Sequence, residues 1–166
     1  MTIIVEDGTG LATANAFISL INANTYHSDR NNAAWAQASE ADRNAAILYA
    51  TDYINTSFQW RGTGIVEDDQ ALNLPTEGGY DDQGREITGL PAQVPKATAE
   101  LALIHLTEKL NVTLGPRIVE QKVDGAVSRR FSDRSDNEGV KYPFLAVMLK
   151  GLHSGGAVNF ISSMCS

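Results

Sequence analysis

The sequence predicts a mainly α protein: a single-domain bundle of four to five helices over residues 1–153, with a projecting β-hairpin at about 117–132 and an extended, flexible C-terminal tail over 154–166. Three observations carry this expectation. Apolar residues recur at i, i+3, i+4 through 40–56 and again through 94–110, the period of a helix with one face on a core. The pattern switches to period two only around Asp124-Gly125. The 166 residues suit one compact domain with its own core rather than two.

Ile3 to Val5 reads as a short strand or extended arm, closed by the turn-forming run Glu6-Asp7-Gly8-Thr9-Gly10. Ser19 is a suitable N-cap for a helix over about 20–30, in which Leu20, Ala23, Tyr26 and His27 share a face. Asn31-Asn32 interrupts it, and Ala33 to Ala38 forms one short helical turn around Trp35. Ser39 with Asp42 three residues on resembles a capping box with Asp in place of the usual Glu. The helix it opens, about 40–56, carries Ala46, Tyr49, Ala50, Tyr53 and Ile54 on its apolar stripe.

Residues 57–93 change character. They are rich in glycine, hold Pro75, Pro91 and the acidic run Glu67-Asp68-Asp69, and predict a long irregular insertion pinned by Trp60 and Leu74. Pro95 then sits in the first turn of a helix over about 94–110, where its missing N–H costs nothing. Ala97, Leu101 and Ile104 line one stripe, and Ala99, Ala102, Leu103, Leu106 and Leu110 line another. An apolar arc this wide marks the central helix of the bundle. After Gly115-Pro116, Ile118, Glu120 and Lys122, then Val127, Arg129 and Phe131, alternate around Asp124-Gly125, a two-residue hairpin signal. Tyr142-Pro143 opens a last helix with Phe144, Val147, Met148 and Leu152, and from Ser154 the chain is Gly/Ser-rich with Val158, Phe160 and Ile161 embedded.

A hydrophobic fraction of 43% with 20% charged residues is that of an ordinary folded protein. No stretch approaches the roughly 20 apolar residues that span a bilayer. Met1 to Val5 meets Glu6 and Asp7 at once, without the basic start and long apolar run of a secretory signal, so the protein is expected to stay where it is made. The lone Cys165 cannot form an internal disulfide. The net charge of -7 is uneven. Residues 1–115 hold 6 Lys+Arg and 15 Asp+Glu, a balance of -9, whereas 116–166 hold 7 and 5, a balance of +2. An acidic body repels phosphate, so any DNA contact belongs to the C-terminal third.

Most chemistry finds no footing. Gly8-Thr9-Gly10 lacks the third glycine of a dinucleotide fingerprint, with Thr13 in its place, and reads as a glycine turn. Arg61-Gly62-Thr63-Gly64 lacks the ending of a phosphate loop. His27, His105 and His153 lie far apart, and the first two read as partly buried core histidines. In Asp133 to Phe144, Glu138 and Phe144 occupy the glycine and bidentate-acid positions of a calcium loop, so that pattern fails. No catalytic, cofactor or metal residue is assigned, and the protein is expected not to be an enzyme. Arg129-Arg130-Phe131, with Arg134 nearby, sets basic groups beside an aromatic that can stack on a base. The alternative is a ribbon whose charged side faces water or an acidic neighbour.

Separated segments together resemble one family. They are Ile4 to Leu11, Ala14 to Ser19, Tyr26 to Asn31, Ala50 to Ile54, Trp60-Arg61-Gly62, Ile87 to Pro95, Ala97 to Ala102 and Tyr142-Pro143. In order and spacing they resemble a phage and prophage family labelled DnaT-like single-stranded DNA-binding protein. In size and genomic setting its members are similar to head-tail connector (adaptor) proteins of tailed bacteriophages. The resemblance implies two functions. One is a structural virion protein at the neck, made in the host cytoplasm: a dodecameric ring of copies under the portal protein. That ring extends the DNA channel to a downstream tail or neck protein and lets DNA pass without sequence-specific binding. The other is a single-stranded DNA-binding protein of a phage replication or recombination system. Net acidity, a projecting hairpin and an extended tail favour the connector. Its partner contacts are expected at Arg129, Arg130 and Phe131 on the hairpin and at Phe160 and Ile161 in the tail.

Overall fold

The computed structural model describes residues 2–108, 110 and 142–155, and in it helices form where the sequence places their start signals. Ser19 caps α1 (Leu20–Ser28), its hydroxyl accepting the Asn22 N–H at 3.1 Å. Asn31 ends the run in the left-handed region, with φ 52°, a conformation that asparagine tolerates better than most residues. α2 (Ala33–Gln37) is the short turn around Trp35. α3 (Glu40–Ser57) starts at Ser39, whose hydroxyl accepts the Asp42 N–H at 3.1 Å and donates to the Asp42 carboxylate at 2.6 Å. The shorter aspartate thus closes on the cap hydroxyl, where a glutamate reaches back to the cap backbone N–H.

α4 (Gln93–Thr107) stops short of the expected end at 110 because Glu108 turns extended. Leu110 has left the helix but stays buried. α5 (Pro143–Met148) begins at the predicted Tyr142-Pro143. The five helices among the described residues make the fold mainly α, as predicted.

α3 and α4 share the most extensive contact of any two elements among the described residues. Ala46, Ile47, Ala50 and Ile54 of α3 and Val94, Ala97, Leu101 and Ala102 of α4 are fully buried in one core. Four of these eight are alanines, which let two helix backbones approach closely. The two polar residues in the seam are satisfied locally. Thr51 and Thr98 donate their hydroxyls to the carbonyls of Ile47 and Val94, each at 2.9 Å. Thr51 Oγ1 also accepts the Phe17 N–H at 3.3 Å, which ties the N-terminal arm to the seam.

α1 docks on α4 through a histidine. His27 is 1% exposed; its Nε2 lies 3.1 Å from Ala99 O and its Nδ1 2.9 Å from Asn32 Nδ2. Those partners assign the neutral ring with its proton on Nε2. Burial holds its pKa below the ordinary 6.5, against the opposing hydrogen bond to Ala99.

The arm folds around a buried carboxylate. Glu6, 1% exposed, accepts the N–H groups of Gly8 and Gly10 on Oε1 and of Leu11 on Oε2, each at 2.9 Å. Gly8 (φ 98°) and Gly10 (φ 84°) supply the left-handed backbone this wrap requires. The glycine turn is therefore a nest for its own glutamate, and those three N–H groups are already taken. Val5 bridges Ala16 in parallel, so the arm lies along the chain that follows it.

Residues 57–93, expected to be irregular, contain short ladders. β1 (Gln59–Trp60) pairs antiparallel with β4 (His153–Gly155), and β2 (Gly64–Ile65) pairs antiparallel with β3 (Thr76–Glu77). Trp60 and Leu74 are buried as predicted, joined by Leu72 and Ile87. β4 takes up Ser154 and Gly155, which the sequence assigns to the tail. The hairpin expected at 117–132 and the tail residues 156–166 lie outside the described residues.

Three outcomes follow from this packing. Leu101→Asp puts a carboxylate into the seam without a partner and should abolish soluble folding. A soluble variant with the wild-type urea midpoint contradicts the core assignment. Glu6→Ala orphans three N–H groups and should cost about 3 kcal/mol in urea unfolding; a cost under about 0.5 kcal/mol would reduce the nest to decoration. For His27 the unfolded ring takes up a proton near 6.5 and the native ring resists it. Its contribution is whole above that pH and is lost as pH falls through the lowered native pKa. Between about pH 7.5 and about pH 5, the wild-type midpoint should fall further than that of His27→Gln. Equal falls would show that the ring is not held neutral.

Candidate nucleic-acid interface

Charge sorts the molecule before any side chain is considered. The described residues hold 6 of the 13 Lys+Arg and 15 of the 20 Asp+Glu, a balance of -9. Lys109 and residues 111–141 hold the other seven Lys+Arg with five Asp+Glu. Within the described body most arginines are already engaged. Arg61 meets Asp82 at 2.7 Å and Arg85 meets Asp81 at 2.7 Å. Arg30 lies 3.5 Å over the Tyr26 ring and 3.8 Å from Glu100. Tyr26 donates to the same Glu100 at 2.7 Å, and burial, followed by Glu100, pushes its pKa up to about 12. Lys96 and Lys150 are exposed, the first in the opening turn of α4 and the second in the turn after α5. The described body offers no continuous basic track for a phosphate backbone.

The aromatic residues converge at the two ends of the basic segment. On α3, Tyr49 is 46% exposed and stacks on His105 of α4, with centroids 4.5 Å apart and planes at 22°. His105 Nδ1 accepts the Leu110 N–H at 3.5 Å, at the point where the chain leaves α4 toward 111–141. One helical turn further along α3, Tyr53 meets Tyr142 edge-on at 5.6 Å, where the chain returns. Tyr142 in turn meets Phe144 at 6.3 Å. Both roots of the segment carrying Arg129-Arg130-Phe131 therefore stand on neighbouring turns of one face of α3. Tyr80, 56% exposed, is a second accessible aromatic, on the insertion.

Arg129, Arg130 and Phe131, the contact residues expected from sequence, lie outside the described residues, as do Phe160 and Ile161. Tyr49, His105 and Tyr142 were not singled out by the sequence as site residues. Tyr49 reads as part of the apolar stripe of its helix, and its i, i+4 relation to Tyr53 is the only signal of a shared face. His105 reads as a core histidine and is half-buried, with one ring face given to Tyr49.

The profile of one family, described as "Putative DnaT-like ssDNA binding protein", matches residues 1–163. No curated protein and no solved structure gave a match. The family match corrects the connector expectation. The structural virion role, the ring of copies under a portal protein, the downstream tail or neck partner and DNA as unbound passing cargo have no support in it. The expectation leaned on net acidity, a projecting hairpin and an extended tail, and the acidity does not discriminate. Charges are screened beyond about 8 Å at physiological salt, so an acidic body does not forbid a basic segment from holding DNA. Order, spacing and profile agree across nearly the full length: the chain belongs to the family of DnaT-like ssDNA binding proteins.

Proposed function

We propose that the protein binds single-stranded DNA and acts in a phage replication or recombination system, by binding and without catalysis. The observation that carries this reading is the family match over residues 1–163. Its place of action is then the host cytoplasm, where single strands are exposed, rather than the virion neck. The charge distribution supports a division of labour. The acidic helical body is the scaffold, and the segment from Lys109 to Lys141, with seven Lys+Arg, meets the phosphates. Arg129 and Arg130 supply positive charge, and Phe131 offers a ring face for a base. Tyr49, exposed and braced by His105 at the root of that segment, offers a second ring face.

Stacking does not depend on which base is present, so this site binds with little sequence preference and strong salt dependence. Fluorescence anisotropy with oligo-dT, at low and at physiological salt, tests the reading. Replacing Arg129 and Arg130 together by Ala should weaken binding and lower the salt slope by about 1.4, the share of two phosphate contacts on a single strand. Tyr49→Ala should cost about 1–3 kcal/mol of affinity while leaving the urea midpoint nearly unchanged. Absence of binding at low salt, or binding indifferent to all three residues, would sink the proposal.

A further inference from the structure

Away from the aromatic roots, α1, α2 and the start of α3 line a half-open cavity of about 320 Å3. That size is at the lower end of the roughly 300–1,000 Å3 usual for small-molecule sites. Buried Trp35 and His27 form its floor, half-buried Asn24, Asn32 and Arg43 its walls, and exposed Ser28 and Asn31 its mouth.

The chemistry of this lining runs against the rest of the body. Among the described residues, which hold 15 Asp+Glu, no carboxylate lines the cavity. Of the four arginines among the described residues, three have a carboxylate within 4.0 Å; Arg43 has none. Its guanidinium donates to neutral oxygens, from Nε and Nη2 to Ala38 O at 3.1 and 2.8 Å, from Nη2 to Ala36 O at 3.3 Å and from Nη1 to Asn24 Oδ1 at 3.1 Å, which leaves one Nη1–H for a ligand. The carbonyls belong to the end of α2 and offset part of the charge.

The walls are also set in place before any ligand arrives. Asn24 Oδ1 accepts both Trp35 Nε1 at 2.9 Å and Arg43 Nη1, which leaves the Asn24 amide N–H groups as the unused side of that residue. Asn32 is held on His27. Amide groups, a hydroxyl and one arginine with no carboxylate within 4.0 Å share the lining with the methyls of Ala33 and Ala36, a setting that admits an anion. The volume exceeds that of a phosphate alone, and amide side chains suit the paired donors and acceptors of a base edge.

We propose that this cavity binds a single nucleotide through its phosphate monoester, with Arg43 as the charge partner and Asn24 and Asn31 as amide contacts. The site is separate from the segment assigned to single-stranded DNA and stands or falls without it. A free mononucleotide and the phosphorylated end of a strand carry the same chemistry, and the experiment separates them.

The full chain has two tryptophans, so Trp60→Phe leaves Trp35 in the cavity floor as the reporter. Titration with thymidine 5′-monophosphate should change its emission saturably; if the Trp60 variant does not fold, calorimetry on the wild type gives the same reading. Thymidine lacking the phosphate should bind about tenfold more weakly, because the charge-assisted contact is gone. Asn31→Asp, which keeps a residue tolerant of left-handed φ, and Ser28→Asp at the mouth should each weaken the nucleotide about tenfold by like-charge repulsion. Both should keep the wild-type urea midpoint. Replacement of Arg129 and Arg130 should leave nucleotide binding unchanged, so loss of DNA binding and loss of this site are told apart. A response of Trp35 to a 5′-phosphorylated oligonucleotide, absent with its 5′-hydroxyl counterpart, assigns the strand end. A response to the mononucleotide alone assigns the free ligand. No saturable response to the mononucleotide, equal affinity for thymidine, or wild-type affinity in both aspartate variants would overturn the proposal.

Discussion

The close seam between α3 and α4 is the constraint on which the rest of this structure depends. Alanines at 46, 50, 97 and 102 let the two backbones approach, and Ile47, Ile54, Val94 and Leu101 fill the space around them. Every other part of the described fold is tied to one of these two helices by a named contact. Phe17 hangs from Thr51, α1 from Ala99 through His27, and the insertion from Asn55 through both the backbone and side chain of Asn73. The two roots of the basic segment use the same helices, through Tyr49 with His105 and Tyr53 with Tyr142. A shift of α3 against α4 would therefore move the aromatic platform together with the core.

Much of this was legible in the chain because local chemistry and tertiary packing agree. Ser19 and Ser39 cap the helices that follow them, and Trp35, Trp60 and Leu74 are buried where isolated apolar residues in polar surroundings should be. The misreadings have physical causes. The strands of the insertion are two or three residues long, too short for any alternation to register, and β1 finds its partner more than ninety residues away in β4. Glu6 looked like an acid placed against a glycine turn; only the fold shows the turn closing around it. The stripe of α3 includes Tyr49, yet a tyrosine can leave the core and keep one ring face covered, as it does against His105.

The functional misreading gave weight to net acidity although the charge is unevenly placed along the chain. A net charge of -7 describes a particle, whereas a ligand meets a surface a few ångströms away. Here the negative charge belongs to the helical body, and seven of the 13 Lys+Arg are gathered into one stretch from Lys109 to Lys141. Binding through such a stretch gains affinity from counterion release, while an acidic body repels duplex or strand that strays. The cavity beside α2 shows a related separation on a smaller scale, with an arginine that has no carboxylate of the described residues within 4.0 Å.

The most direct measurement is photocrosslinking of the full protein to a single-stranded oligonucleotide carrying iododeoxyuridine, with the crosslinked residues identified by mass spectrometry. The account predicts crosslinks at Tyr49 and Phe131, suppressed by added salt, and few on the acidic insertion around Glu67 to Asp69. No crosslinks at low salt, or crosslinks spread over the acidic body and missing from both aromatic residues, would contradict it.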